Sequence, residues 1–148
     1  MSSLPPEAVS ALHQLLSHLT AADNESRSTA EKSLNEEWIL RGQERQEMLL
    51  VGLAEQSVAG ESAMMRSFAA VLFRRIATRQ PPDTEQISAI IDAVSEPALA
   101  QIKNILLQGF IGDQTRDARH KIADAIAEIA RPGTKSGKNK NLLKSRQN

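Results

Sequence analysis

Apolar residues return every three or four positions along most of this 148-residue chain, the period of a helix that buries one face. Val9, Leu12, Leu15, Leu16 and Leu19 predict an amphipathic helix that starts near Pro5-Pro6, where a first turn tolerates proline, and runs to about Ala21. Asp23-Asn24 breaks it and offers a cap for a second helix over about 25–40. In that helix Ala30, Leu34 and Trp38 form a stripe at i, i+4 spacing, and Gly42 supplies the stop. Residues 44–58 predict a third helix through Met48, Leu49, Val51, Leu53 and Ala54, closed by Gly60. Residues 61–79 are apolar on more than one side (Met64, Met65, Phe68, Ala69, Val71, Leu72, Phe73, Ile76), as in a helix clamped between neighbours, and Pro81-Pro82 end them. A short helix is expected over 83–94 through Ile87, Ile90, Ile91 and Val94. Two more are expected over 97–111 and 115–130, joined by a turn at Gly112-Asp113.

One small setting recurs among these helices: Arg27-x-x-Ala30-x-x-x-Leu34, Arg66-x-x-Ala69-x-x-x-Phe73 and Arg119-x-x-Ile122-x-x-x-Ile126. The first two arginines lie 39 residues apart and the next two 53, the longer spacing being filled by residues 82–95. A period of roughly 40 residues built from helix pairs is the mark of HEAT or armadillo arrays, whose units stack into extended protein-binding surfaces. The fold class expected is therefore all-α: a HEAT-repeat α-solenoid segment of about three antiparallel hairpins, at about 5–41, 43–80 and 83–130. An arginine early in the second helix of a hairpin can lie along apolar neighbours and bond a carboxylate or carbonyl of the adjacent unit. Arg27, Arg66 and Arg119 are accordingly expected to be structural ladder residues rather than ligand contacts.

Composition changes the picture in three places. Three Phe, one Trp and no Tyr leave Ala, Leu and Ile to fill the core, which suits closely packed helices. The absence of Cys excludes disulfides and thiolate metal sites and fits a reducing compartment. The zero formal charge hides an asymmetry: residues 131–148 carry six Lys or Arg and no acid, leaving residues 1–130 with twelve basic against all eighteen acidic residues. The body should repel nucleic acid and attract basic segments, while the tail, with only Leu142-Leu143 as an apolar pair, is expected to be disordered. No apolar run reaches the length of a membrane span, and MSSLPPEAV lacks the basic and apolar regions of a secretory signal.

Catalytic groups are sparse. His13 and His18 are five apart, off the i, i+4 spacing of a helical metal pair. His120 has Asp117 at i−3 and Asp124 at i+4, a metal or acid–base cluster in principle, but a solvated helix-face ion pair is the preferred reading. Glu36 and Glu37 are adjacent, so their side chains splay about 100° apart on a helix and cannot cooperate as acid and base. No enzyme, cofactor or metal site is expected. The tail lysines invite a nuclear-localisation or RNA-binding reading, yet no aromatic residue is interleaved for base stacking, and a solvated tail is preferred.

Four segments carry a further likeness: ESRSTAEKSLNEEWI (25–39), SFAAVLFRRIATR (67–79), ALAQIKNILLQGF (98–110) and ARHKIADAIAEIA (118–130). In this order they resemble the N-terminal repeats of the importin-β (karyopherin-β) family of nuclear import receptors, those of the fungal beta-3 type above all. The likeness spans about residues 4–130. It implies a superhelix of about twenty HEAT repeats in a receptor that shuttles between cytoplasm and nucleus, associates with the nuclear envelope and pore, and releases cargo on binding Ran-GTP. It further implies Ran-GTP at this end of the receptor, with basic cargo proteins and pore proteins as partners of the full-length parent, and neither direct nucleic-acid binding nor membrane insertion. The second helix of each hairpin would line the concave surface, making Lys32, Asn35, Glu36, Arg74, Arg75, Lys121, Asp124 and Glu128 the candidate Ran contacts, with the Arg74-Arg75 pair foremost. A basic patch that merely satisfies the helix C-terminus is the competing reading of that pair. After Ala130 the chain departs from the family pattern, which is the basis for expecting a truncated product. The alternative function is a HEAT scaffold or adaptor unrelated to transport.

Overall fold

The computed structural model describes residues 4–80, 89–112 and 115–130, and among them there is no strand. Six helices form three antiparallel hairpins: α1 (Pro6–Leu19) with α2 (Asn24–Ser33), α3 (Gln43–Ala59) with α4 (Ala63–Ala77), and α5 (Glu96–Gly112) with α6 (Arg116–Ala130). Successive hairpins stack side by side, α3 against α5 and α4 against α6, which is the α-solenoid the repeat spacing predicts.

Local chemistry sets the helix limits. Proline stands at the start of α1, and Asp23 caps α2 by accepting the Ser26 amide at 2.8 Å. Ser62 caps α4 by accepting the Met65 amide at 3.1 Å. Gly42, between the first two hairpins, has φ +107°, a conformation in which a Cβ would be strained.

The stripe Ala30, Leu34 and Trp38 is buried, but the helix that carries it is not regular. After Ser33 the ladder widens to i→i−5 over Leu34–Ile39, a π turn in which the Leu40 amide donates to the Asn35 carbonyl at 2.8 Å. Within this turn Trp38 and its neighbour Ile39 are both buried, each only 2 % exposed. Arg45 of α3 lies over the Trp38 ring at 3.8 Å and donates to the Glu37 carbonyl, while Gln46 donates to the Ile39 carbonyl.

The core runs through all three hairpins, from Leu12 and Leu16 through Leu49, Leu50, Leu53 and Phe73 to Ile102, Leu106 and Ile122. Two glycines make room for a neighbouring helix: Leu12 of α1 lies over Gly52 of α3, and Val58 of α3 over Gly109 of α5. Met64, expected on the apolar face of its helix, is 69 % exposed because α4 turns that position to solvent at its first turn. On α1 the buried face is set by Ala8, Leu12, Leu15 and Leu16, with Val9 at its edge. Of the helix expected over 83–94, the described part is a 3-10 turn at Ile90–Ala93, fastened to α3 by Gln43 donating to the Ala93 carbonyl. Residues 83–88, the stop at Pro81-Pro82, the turn residue Asp113 and the tail 131–148 lie outside the described residues.

Candidate protein-interaction surface

The three repeat arginines occupy equivalent places in their hairpins and make different contacts. Arg27 turns back on its own hairpin: Nη1 donates to the carbonyls of Ala21 (3.0 Å) and Ala22 (3.1 Å) past the end of α1, and Nη2 to Asn24 Oδ1. Arg66 reaches both ways, with Nη1 on the Gly60 carbonyl (3.1 Å) and Nη2 on Thr115 Oγ1 of the third hairpin (3.3 Å). Arg119 places its guanidinium 5.4 Å from the Phe110 ring centre of α5, a cation–π contact. Each arginine thus meets the end of the helix that precedes it, and Arg66 also bonds to the adjacent hairpin.

Hairpins two and three are further joined along α4 and α6. Ser67 Oγ donates to Asp117 Oδ2 at 2.8 Å, and Arg74 Nε to Glu128 Oε1 at 3.0 Å. Glu47 of α3 accepts from the Ser95 amide and hydroxyl at the start of α5. Asp117, three residues before His120, therefore serves the hairpin interface. Among the described residues no group of three His, Asp or Glu side chains comes close enough to hold a metal ion.

The eight candidate contacts divide accordingly. Arg74 and Glu128 pair with each other across α4 and α6, with side chains 49 % and 12 % exposed. Arg75 instead lines a groove of about 550 Å³ between α2 and α4, and Asn35 lines the same groove. Lys32 and Glu36 are exposed beside that groove's α2 wall in sequence, without lining it. Lys121 and Asp124 lie on α6, the first half-buried and the second exposed.

The groove exists because α2 does not pack closely on α4, in contrast to α6. Its floor is apolar: Leu19, Leu34, Phe68, Leu72 and Ile76. Its polar rim is Arg75 and Arg79 on the α4 side with Glu31 and Asn35 on the α2 side. Sequence reasoning does not pick out Arg79, Glu31 or Phe68 as contacts. For Arg79 a signal is present, since it follows Arg75 by four residues across the end of the helix.

No family model matches the chain. Importin subunit beta-3 of Saccharomyces cerevisiae is 40 % identical over 130 residues, covering 86 % of this chain and 12 % of that protein. Among solved structures, Kap121p bound to RanGTP superposes with a TM-score of 0.74 at 35 % identity, covering 88 % of this chain and 12 % of that one. Kap121p bound to Nup53p gives 0.72 at 37 % identity, covering 89 % and 12 %. The chain therefore spans about an eighth of the length of the relatives it matches.

Proposed function

We propose that this chain, a homologue of importin β-3 over 86 % of its length, works as the Ran-GTP-facing repeats of a nuclear import receptor. The observation that carries the reading is the likeness, in sequence and in hairpin stacking together, to a karyopherin whose structure has been solved with RanGTP bound. The physics of the surface agrees with it. Ser67–Asp117 and Arg74–Glu128 join the second helices of adjacent hairpins, and the open groove beside them is wide and partly apolar as protein contacts require. The chain works by binding and not by catalysis. In the cell it belongs to a receptor that moves between cytoplasm and nucleus and meets pore proteins and basic cargo through the remainder of that receptor. Arg75 and Asn35 are the leading contacts among the second-helix residues, followed by Lys32, Glu36, Lys121 and Asp124. Arg74 and Glu128 act on each other instead.

Binding of Ran loaded with GTP and with GDP to the 148-residue chain tests this directly. The reading expects measurable affinity for the GTP form and at least about tenfold less for the GDP form, a difference of about 1.4 kcal/mol. Equal binding, or none, at high micromolar concentration would sink it.

A further inference from the structure

We infer that the groove between α2 and α4 is a docking site for an acidic, apolar protein segment: carboxylates on Arg75 and Arg79, aliphatic or aromatic side chains on the floor beside Phe68 and Leu72. Charge complementarity selects this occupant. Residues 1–130 are acidic overall, yet residues 63–79 carry four arginines and no Asp or Glu. Two of the four serve the stack, Arg66 on Gly60 and Thr115 and Arg74 on Glu128. Arg75 and Arg79 make no ion pair with another described residue and both line the groove. A guanidinium presents paired donors that match a carboxylate, so two of them four residues apart read a pair of acids on a partner strand or helix. The floor adds the second requirement. Leu34, Leu72 and Ile76 are buried in the wall, while Leu19 and Phe68 are half-buried and remain open to contact. A purely acidic segment would leave that floor wet, and a basic one would meet two uncompensated cations. The opposite wall offers Glu31 and Asn35, which can accept from backbone amides of the segment. This inference concerns the chemistry of the occupant and holds whichever protein supplies it.

The test uses the 148-residue chain and a blocked, fluorescent peptide of three Leu-Leu-Glu-Glu repeats, with a second peptide that replaces each glutamate by lysine. Fluorescence anisotropy should show the acidic peptide binding at least about tenfold more tightly than the lysine peptide. Arg75→Ala with Arg79→Ala should weaken the acidic peptide several-fold, while Arg41→Ala with Arg116→Ala, two exposed arginines outside the groove, should not. Arg75→Glu with Arg79→Glu should invert the preference toward the lysine peptide while the helical circular-dichroism signal and melting temperature of the parent are kept, which separates the inversion from loss of folding. Equal binding of the two peptides, no binding up to roughly 1 mM, or an unchanged preference in the charge-reversed chain would overturn the inference. Competition by Ran-GTP separates this result from the functional reading. Displaced peptide supports both, and bound peptide with no Ran affinity leaves the groove standing alone. Ran affinity in a chain that does not bind the acidic peptide refutes the groove and spares the receptor reading.

Discussion

A Cβ added to Gly109 would fall 1.8 Å from Cγ1 of Val58, so α5 meets α3 there side chain against bare backbone. The contact fixes the spacing of the second and third hairpins. Gly109→Ala should therefore lower stability by about 1–3 kcal/mol, the usual cost of overpacking, even though alanine is the better helix former. Combining it with Val58→Ala should restore much of the loss. Urea unfolding of the four chains checks this, and additive effects of the two substitutions would show that the residues do not press on each other.

The tandem Arg74-Arg75 should split by function. In a double-mutant cycle Arg74→Ala and Glu128→Ala should couple by only about 0.5 kcal/mol, because one partner is half exposed, and the coupling should shrink as salt is raised. Neither change should alter partner binding more than about twofold, well under 1 kcal/mol. Arg75→Ala should do the reverse, lowering affinity and leaving the melting temperature unchanged. Thermal melts and anisotropy on the same preparations separate the two residues.

Asp23 connects the first hairpin to pH. The Ser26 amide and hydroxyl, helped by the Arg27 charge, hold its carboxyl below the ordinary value of 3.8. A carboxyl depressed in the folded state stabilises the fold above its unfolded pKa, and that contribution fades as pH falls through the folded pKa. Asp23→Asn, which keeps an acceptor for the cap but has no charge to titrate, should melt lower than the parent at neutral pH. The two melting temperatures should converge as the pH drops through the acid range. A gap that stays constant with pH would rule out the charge as the cause.

The single tryptophan reports on the π turn. Trp38 is 2 % exposed under the Arg45 guanidinium, so its emission should be blue-shifted and poorly quenched by iodide in the folded chain. Arg45→Ala should open the ring to quencher with little loss of stability, whereas Trp38→Ala should cost about 3–5 kcal/mol, as for any large buried aromatic. Red-shifted, readily quenched emission from the folded parent would contradict the buried placement.

Much of this architecture is legible in residue order, because its causes are local. Asp23 caps the helix it precedes, Gly42 occupies a positive-φ position, and Ala30, Leu34 and Trp38 share a face by period alone. Features that depend on neighbours distant in sequence are not legible in this way. Nothing in RRIATR says that Arg74 meets Glu128 while Arg75 enters a groove, since that depends on where α6 lies and on α2 standing off from α4. The π turn is hidden for a related reason. Helical periodicity puts Trp38 on the stripe with Ala30 and Leu34, and nothing in the residue order marks the widening of the ladder between Leu34 and Ile39.

That turn also has a mutational consequence. A π turn is an α-helix holding one surplus residue, so losing a residue from Leu34–Ile39 returns the segment to ordinary α geometry without rotating the residues beyond it. The same deletion in the middle of α4 would swing every later side chain about 100° round the axis and scramble both of its interfaces. Changes in chain length within these repeats should therefore gather at this one stretch of helix as well as in the loops, and homologues one residue shorter there should keep both the stack and the groove.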